Sequence, residues 1–229
     1  MKPNPDPAPN FDILAGPYRW LEYFSFGPFL WRCRAHFLPQ LSRGRRALLL
    51  GDGDGRFTAE LLCRNDRIAV HAVDLSPTMI QTVEVAARAH SSRVTTEIAD
   101  LRMWSPAPAS RYDLVVSHFF LDCLTPGEVA ALAQRLATSV APGALWLVSD
   151  FAVPQTIFGA LFARPLVSGL YLAFRYLTGL RVRALPDHAR ALADAGWMLK
   201  SEHTWLNGLL VSQLWQLPEL LGGGSAELE

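Results

Sequence analysis

The chain has 229 residues, half of them hydrophobic, so it can bury a substantial core in one generous domain. Its 21 basic and 21 acidic residues cancel, which removes any global electrostatic signal for nucleic acid. Cys33, Cys63 and Cys123 are odd in number and far apart, which excludes a disulfide framework and a cysteine metal site.

The charge is uneven along the chain. Six arginines and one acid, Glu22, fall between Tyr18 and Arg46, and four arginines and no acid fall between Phe151 and Pro186. Such asymmetry marks a surface that meets anions or a membrane, or arginines that snorkel beside apolar stems. The proline-rich start, residues 1–10, lacks the apolar centre of a signal peptide, so a reducing cytoplasm is the expected compartment and these residues are expected to be disordered. No run reaches the roughly 18 to 20 uncharged apolar residues of a membrane span.

Residues 11–41 read as one or two helices broken at Gly27-Pro28 and dense in aromatic side chains. Lying before the first strand, they can form a lid in which Tyr18 and Tyr23 touch a ligand. Ala47-Leu-Leu-Leu50 then has no polar face, as in a buried parallel strand. It breaks into Gly51, Asp52, Gly53, Asp54 and Gly55, and after Arg56 the apolar residues Phe57, Leu61 and Leu62 recur at helical spacing. Strand, glycine turn and helix together let a ligand approach the main chain and meet unpaired N–H groups. A dinucleotide site needs glycine where Arg56 stands. Pyrophosphate would also be repelled by Asp52 and Asp54, whereas a cationic ligand would be attracted.

Arg67–Val73 is a second strand that ends at Asp74. That acid lies 19 residues beyond Gly55, where ribose hydroxyls are met. Ser76-Pro77 caps the next helix, expected over 77–89, leaving Asp74 spare; Leu75 beside it is a further candidate cofactor contact, and Met79 in the first turn is placed to pack on an adenine face or in the core. Val94–Ile98 is a third strand, closing on Asp100 and Leu101. Tyr112–His118 is a fourth, followed by Phe119 and Asp122. Thr125-Pro-Gly-Glu128 is a capping box opening a helix to about Val140. Ala144–Ser149 is a fifth strand ending at Asp150. Residues 151–185 form an apolar helical insertion. A helix over 187–195 closes at Gly196. Trp197–Leu206 and Leu209–Gln216 flank Asn207-Gly208, a hairpin signal, so the last strands pair antiparallel. Residues 218–229 form a flexible tail.

From about residue 42 to 217 this order resembles the class I S-adenosylmethionine-dependent methyltransferases, loosely those of small-molecule, quinone-biosynthesis type. The resemblance rests on the glycine loop, Asp74, Asp100, Tyr112–His118 and Leu136–Gly143. It implies an α/β, Rossmann-like fold: a seven-stranded mostly parallel sheet with a C-terminal antiparallel hairpin, an N-terminal lid and a helical insertion after strand five. It also implies S-adenosylmethionine as cofactor. Gly51, Gly53 and Gly55 would meet its methionine portion, Asp74 its ribose, and Asp100 with Leu101 its adenine. Ser117 and His118 would line the reaction face. The family usually carries an acid two residues before the first glycine; here Leu49 stands there, and the charge moves into the loop as Asp52 or Asp54.

Methyl transfer is an in-line displacement whose main demand is orientation. His118, at the carboxyl end of strand four, is placed as a general base or a cofactor contact. Asp122, one helical turn on, is placed to orient it or act itself, with Asp150 the weaker candidate. No Asn/Asp-Pro-Pro-aromatic run points to an amine or amide acceptor, and no acid cluster points to a metal. The greasy, arginine-flanked lid and insertion point to a small apolar or aromatic acceptor, Phe119 among its contacts, met at a membrane surface. The alternative is a degenerate, methyltransferase-like interaction protein, for which Leu49 speaks. A dehydrogenase is disfavoured by Arg56 and the terminal hairpin, and an RNA-modifying enzyme by the zero net charge.

Overall fold

The computed structural model describes residues 26–107, 110–154, 156–157, 159–169 and 185–219. Tyr18, Tyr23, the expected disordered start, most of the tail and much of the insertion lie outside these residues. Helix α1 (Phe29–Ala35) leads into strand β1 (Arg46–Leu50), helix α2 (Arg56–Arg64), strand β2 (Ala69–Asp74), helix α3 (Pro77–Ala86) and strand β3 (Val94–Ile98). Strand β4 (Leu114–His118), helix α4 (Pro126–Ser139), strand β5 (Leu145–Phe151), helix α5 (His188–Asp194), and strands β6 (Met198–Trp205) and β7 (Leu210–Gln216) complete it.

The sheet runs β3-β2-β1-β4-β5-β7-β6. Five strands are parallel, and β7 lies antiparallel between β5 and β6. The sheet and its terminal hairpin are those expected from the sequence. Ala47, Leu48, Leu49 and Leu50 are buried because β1 is central, with β2 and β4 on its flanks and a hydrophobic layer on each face. Phe57, Leu61 and Val83 of α2 and α3 fill one layer. Val129, Leu132, Leu136 and Leu192 of α4 and α5 fill the other. The strand order reverses between β1 and β4, where ligands of open α/β sheets bind at the carboxyl ends.

Local signals explain most boundaries. Ser76 accepts from Met79 N at 3.1 Å with Pro77 behind it. Thr125 and Glu128 cap α4 reciprocally. Strands β2 and β4 start two residues later than expected, at Ala69 and Leu114, and three further boundaries differ for reasons the contacts show. Helix α3 ends at Ala86 and gives way to a 3₁₀ stretch, Arg88–Arg93. There Arg93 is drawn off to the carbonyls of Leu62, Asn65 and Ile68 at 2.7–3.2 Å, which closes α2 instead of prolonging α3. β5 runs on through Asp150 to Phe151, because β7 pairs with it along its whole length. The hairpin closes at Trp205 and Leu210, a wider loop than Asn-Gly alone, since Leu206, Asn207 and Gly208 all take positive φ.

Gly55 sets how the loop meets the rest. Its φ is +71°, and an added Cβ would lie 2.7 Å from Val83 Cα and 2.9 Å from Ala86 Cβ. The close helix approach that a later glycine gives in dinucleotide folds is supplied here by Gly55 against α3. Gly55→Ala is expected to cost about 2–4 kcal/mol, combining left-handed strain with overpacking. Gly127→Ala, where a Cβ meets nothing within 4 Å, should be neutral or stabilising by up to about 1 kcal/mol. Urea unfolding of the two variants measures the contrast.

Candidate active site

The glycine turn begins where β1 ends. Gly51 N donates to Val73 O at 3.0 Å, locking the turn to β2. At Gly51 a Cβ would strike the Phe120 ring at 2.8 Å, whereas at Gly53, φ +67°, it would meet nothing within 4 Å among the described residues. The middle of the turn therefore faces open space beside main-chain groups, a shape that fits a ligand approaching the backbone.

The two loop acids have different fates. Asp54 is paired with Arg56, whose guanidinium stands 5.8 Å from the Trp31 ring centre. Asp52 accepts from Thr58 Oγ1 at 2.5 Å and Thr58 N at 3.2 Å, both on Oδ2. Asp52 retains some accessible surface, yet its carboxyl is screened from water. Burial pushes its pKa up to about 7; Asp54 adds to the rise, while the Thr58 bonds and Arg34 oppose it.

Around the adjoining strand ends, Asp74 accepts from Ser76 N at 2.9 Å and is half-buried, with Leu75 also half-buried beside it. Met79 is buried in the first turn of α3. Asp100 is clasped by Arg102, whose Nε and Nη2 reach both carboxylate oxygens at 2.7–3.0 Å. These bonds hold its pKa below the usual carboxylate value. Leu101 is buried in the core, and its carbonyl accepts from Arg135 at 2.9 Å.

Ser117 and His118 point to opposite faces, as neighbours on a strand must. Ser117 accepts from Trp146 Nε1 at 3.0 Å and is 1% exposed, so it packs in the core and not on a face shared with His118. His118 is 4% exposed, its ring set edge-on to Phe57 at 4.4 Å, and neither ring nitrogen has a hydrogen-bond partner among the described residues. Desolvation, then the nearby Arg34 charge, holds its pKa well below the usual histidine value, so it is neutral. A neutral imidazole offers one donor and one acceptor, and both are unspent here.

Asp122 does not reach His118. Phe119 takes φ +51°, and the chain turns so that Leu121 and Leu124 drop into the core layer of α4 and α5. Asp122 lands beside Asp150 instead, its backbone N donating to Asp150 Oδ2 at 3.1 Å, while the Cys123 thiol donates to Asp122 at 3.4 Å. Burial raises Asp122 to about 6, and burial together with the Asp122 charge raises Asp150 well above the usual carboxylate value. Each carboxyl therefore disfavours ionisation of the other. Phe119 is half-buried, 5.1 Å from the Phe151 ring and 5.1 Å from the Arg34 guanidinium.

Sequence reading passed over Arg34. It sits in the last turn of α1, 5% exposed, and its charge is felt by both Asp52 and His118. Nothing local distinguishes it from the other arginines of that segment. Among the described residues no group of three or more histidine, cysteine or acidic side chains could hold a metal, and all three cysteines are free.

This sheet order, with a glycine turn after β1, defines a Rossmann-like α/β protein whose strand order reverses between β1 and β4. A family described as "Methyltransferase domain" matches residues 47–143. Trans-aconitate 2-methyltransferase of Mycobacterium tuberculosis is 30% identical over 160 residues, 68% of this chain and 58% of that protein. A malonyl-[acyl-carrier protein] O-methyltransferase of Paenibacillus is 35% identical over 83 residues, 34% of this chain and 30% of its own length. In fold, the N-methyltransferase NodS of Bradyrhizobium japonicum, solved with S-adenosyl-L-homocysteine, superposes with a TM-score of 0.58 at 14% identity, covering 83% of this chain and 85% of NodS. The chain thus carries a class I S-adenosylmethionine-dependent methyltransferase domain, and S-adenosylmethionine is the methyl donor of that class. It spans about three-fifths of the length of the trans-aconitate relatives.

The buried carboxyl pair has a measurable signature. An aspartate in the unfolded chain titrates near 3.9, so a folded-state value of about 6 for Asp122 removes stability as pH rises from that unfolded value through the folded one. Asp122→Asn keeps an oxygen for the Cys123 thiol and lacks this loss. It should match wild type near pH 4 and exceed it at pH 8 by on the order of 2 kcal/mol. Urea midpoints at the two pH values provide the check.

Proposed function

We propose that this protein transfers a methyl group from S-adenosylmethionine to an oxygen atom of a small, largely apolar molecule. The observation that carries the proposal is His118: a neutral, buried imidazole with both nitrogens unspent, at the strand end beside the glycine turn. The rings of Phe26, Phe119 and Phe151, with centroid spacings of 5.1–5.3 Å, give an apolar wall nearby. The family match and the relatives, two of them named for small or carrier-borne acceptors, support the donor and the reaction class.

In the reaction the acceptor oxygen attacks the methyl carbon in line with the carbon–sulfur bond. That bond breaks with its electron pair going to sulfur, and S-adenosylhomocysteine leaves. If the acceptor is a hydroxyl, its proton passes to the unprotonated nitrogen of His118; the other nitrogen's N–H steadies the acceptor. General base contributions of this kind are worth about 10²- to 10⁴-fold.

The non-catalytic reading draws on Leu49, which is fully buried between β2 and β4 and leaves no carboxylate at that strand position. Transfer of label from methyl-labelled S-adenosylmethionine to a panel of phenols, quinols and carboxylic acids separates the two readings. Product with wild type and a drop of 10²-fold or more in kcat for His118→Phe, at unchanged S-adenosylhomocysteine affinity, supports the proposal. No calorimetric binding of S-adenosylmethionine to wild type would leave the interaction protein as the reading.

A membrane-surface encounter with the acceptor is part of the proposal. No helix among the described residues is long and apolar enough to cross a membrane. The π-helix Gly159–Ala163 and the residues around it nonetheless expose Ile157, Leu161 and Leu166 at 80%, 64% and 51%. Co-sedimentation with anionic vesicles, weakened by Leu161→Ser and Leu166→Ser together, is the expected outcome; no sedimentation with vesicles of any charge removes this part.

A further inference from the structure

A net charge of zero hides a separation of charge across the sheet. Asp52, Asp74, Asp100, Asp122 and Asp150 lie at or just beyond the carboxyl ends of strands. The amino ends carry arginines instead. Arg45 and Arg46 lead into β1, with Arg43 two residues further back, while Arg67 leads into β2 and Arg111 into β4. All five are exposed. Because β2, β1 and β4 are neighbours, the five form one row across strands about 4.8 Å apart.

The row is held rigidly. Asn65, 4% exposed, donates to the carbonyls of Leu41, Ser42 and Gly44 at 2.9–3.4 Å and accepts from Arg67 N at 2.9 Å. Asp113 accepts from the backbone amides of Arg45 and Arg46 at 2.8–3.1 Å, so its charge is spent on the main chain. Of the five arginines only Arg67 forms an ion pair among the described residues, 3.9 Å from the exposed Asp66. Arg111 takes φ +42°, a strained backbone for a residue with a side chain. The row stops at β5, where Glu219 lies against Gly143. Like charges gathered on one fixed edge repel one another and oppose folding, so packing does not account for them.

We propose that this arginine edge docks an acidic helix of a partner protein. Side chains three and four apart on a helix stand about 5–6 Å from one another, which matches the spacing of the strands. A planar guanidinium also pairs with carboxylates in two-pronged fashion. Leu41, Ile68, Tyr112 and Leu114, the large apolar residues between the arginines, are all buried. That leaves nothing to insert into a bilayer and no ring on which a nucleic-acid base could stack. The exposed Ile157, Leu161 and Leu166 follow the carboxyl end of β5, so a bilayer met there lies on the opposite edge. Without an apolar anchor the contact is electrostatic and salt-sensitive.

The probe is a labelled, alanine-rich helical peptide about 20 residues long, with glutamates three and four apart along one face. Fluorescence anisotropy with the full chain should show binding at about 50 mM salt that weakens tenfold or more by about 300 mM. Arg45→Gln together with Arg67→Gln should lose tenfold or more at the lower salt. Arg190→Gln, on the exposed face of α5, should lose less than twofold. Arg45→Glu with Arg67→Glu should reject the acidic probe and bind the same helix carrying lysines, a reversal that loss of folding would not produce. No salt-sensitive binding by wild type, an equal loss in Arg190→Gln, or tighter binding of anionic vesicles or a single-stranded RNA homopolymer than of the peptide overturns the proposal.

Discussion

The left-handed backbone of the glycine turn is the constraint on which the site depends. Gly51, Gly53 and Gly55 all have φ between +64° and +71°, a region that costs an ordinary L-residue roughly 1–2 kcal/mol. Each glycine answers a different demand. Gly51 lets the Phe120 ring lie against the turn, Gly55 lets α3 close on α2, and Gly53 faces open space. Two of the three are explained by packing against described residues and the third only by its left-handed backbone. The turn is therefore rigid at both ends and bare in the middle.

What surrounds the turn is a set of ionisable groups taken out of water. Asp52, His118, Asp122 and Asp150 are all shifted toward their neutral forms, with burial the largest cause in each case. A core assembled for stability alone would not collect four such groups at the carboxyl ends of three neighbouring strands, β1, β4 and β5. The acids nearer the nucleoside side behave differently: Asp100 is stabilised as a carboxylate by Arg102, and Asp74 is tied to the backbone of Ser76. The edge thus divides into a part where charge is compensated within the protein and a part where desolvated Asp52 and His118 lie close to their neutral forms.

The parts legible in the sequence were those written in short-range signals. Four apolar residues followed by alternating glycines gave β1 and the turn; Thr125 and Glu128 gave the start of α4; Asn207-Gly208 gave the hairpin. Strand order followed from these, because alternation of strands and helices admits few topologies. The site was less legible where its geometry depends on contacts distant in sequence. Asp122 was expected to lie a helical turn from His118, but a bulky residue with positive φ, Phe119, carries the chain to the other layer of the sheet. Arg34 carries no local mark; it matters because α1 lays it against strands that come later in the chain. The Asp100–Arg102 clasp joins near neighbours, yet it forms only because the turn after Asp100, with Met103 N bonded to Asp100 O at 2.9 Å, brings the guanidinium back.

The central claim is that the bare middle of the turn is where the methyl donor lies, and Gly53→Ala tests it most directly. The added methyl meets no atom of the described residues within 4 Å, so the fold should lose only about 1–2 kcal/mol from backbone strain. Calorimetric titration of the folded variant with S-adenosylhomocysteine should show affinity reduced by tenfold or more relative to wild type. Undiminished affinity would contradict the account, since a donor seated on the turn could not tolerate that methyl.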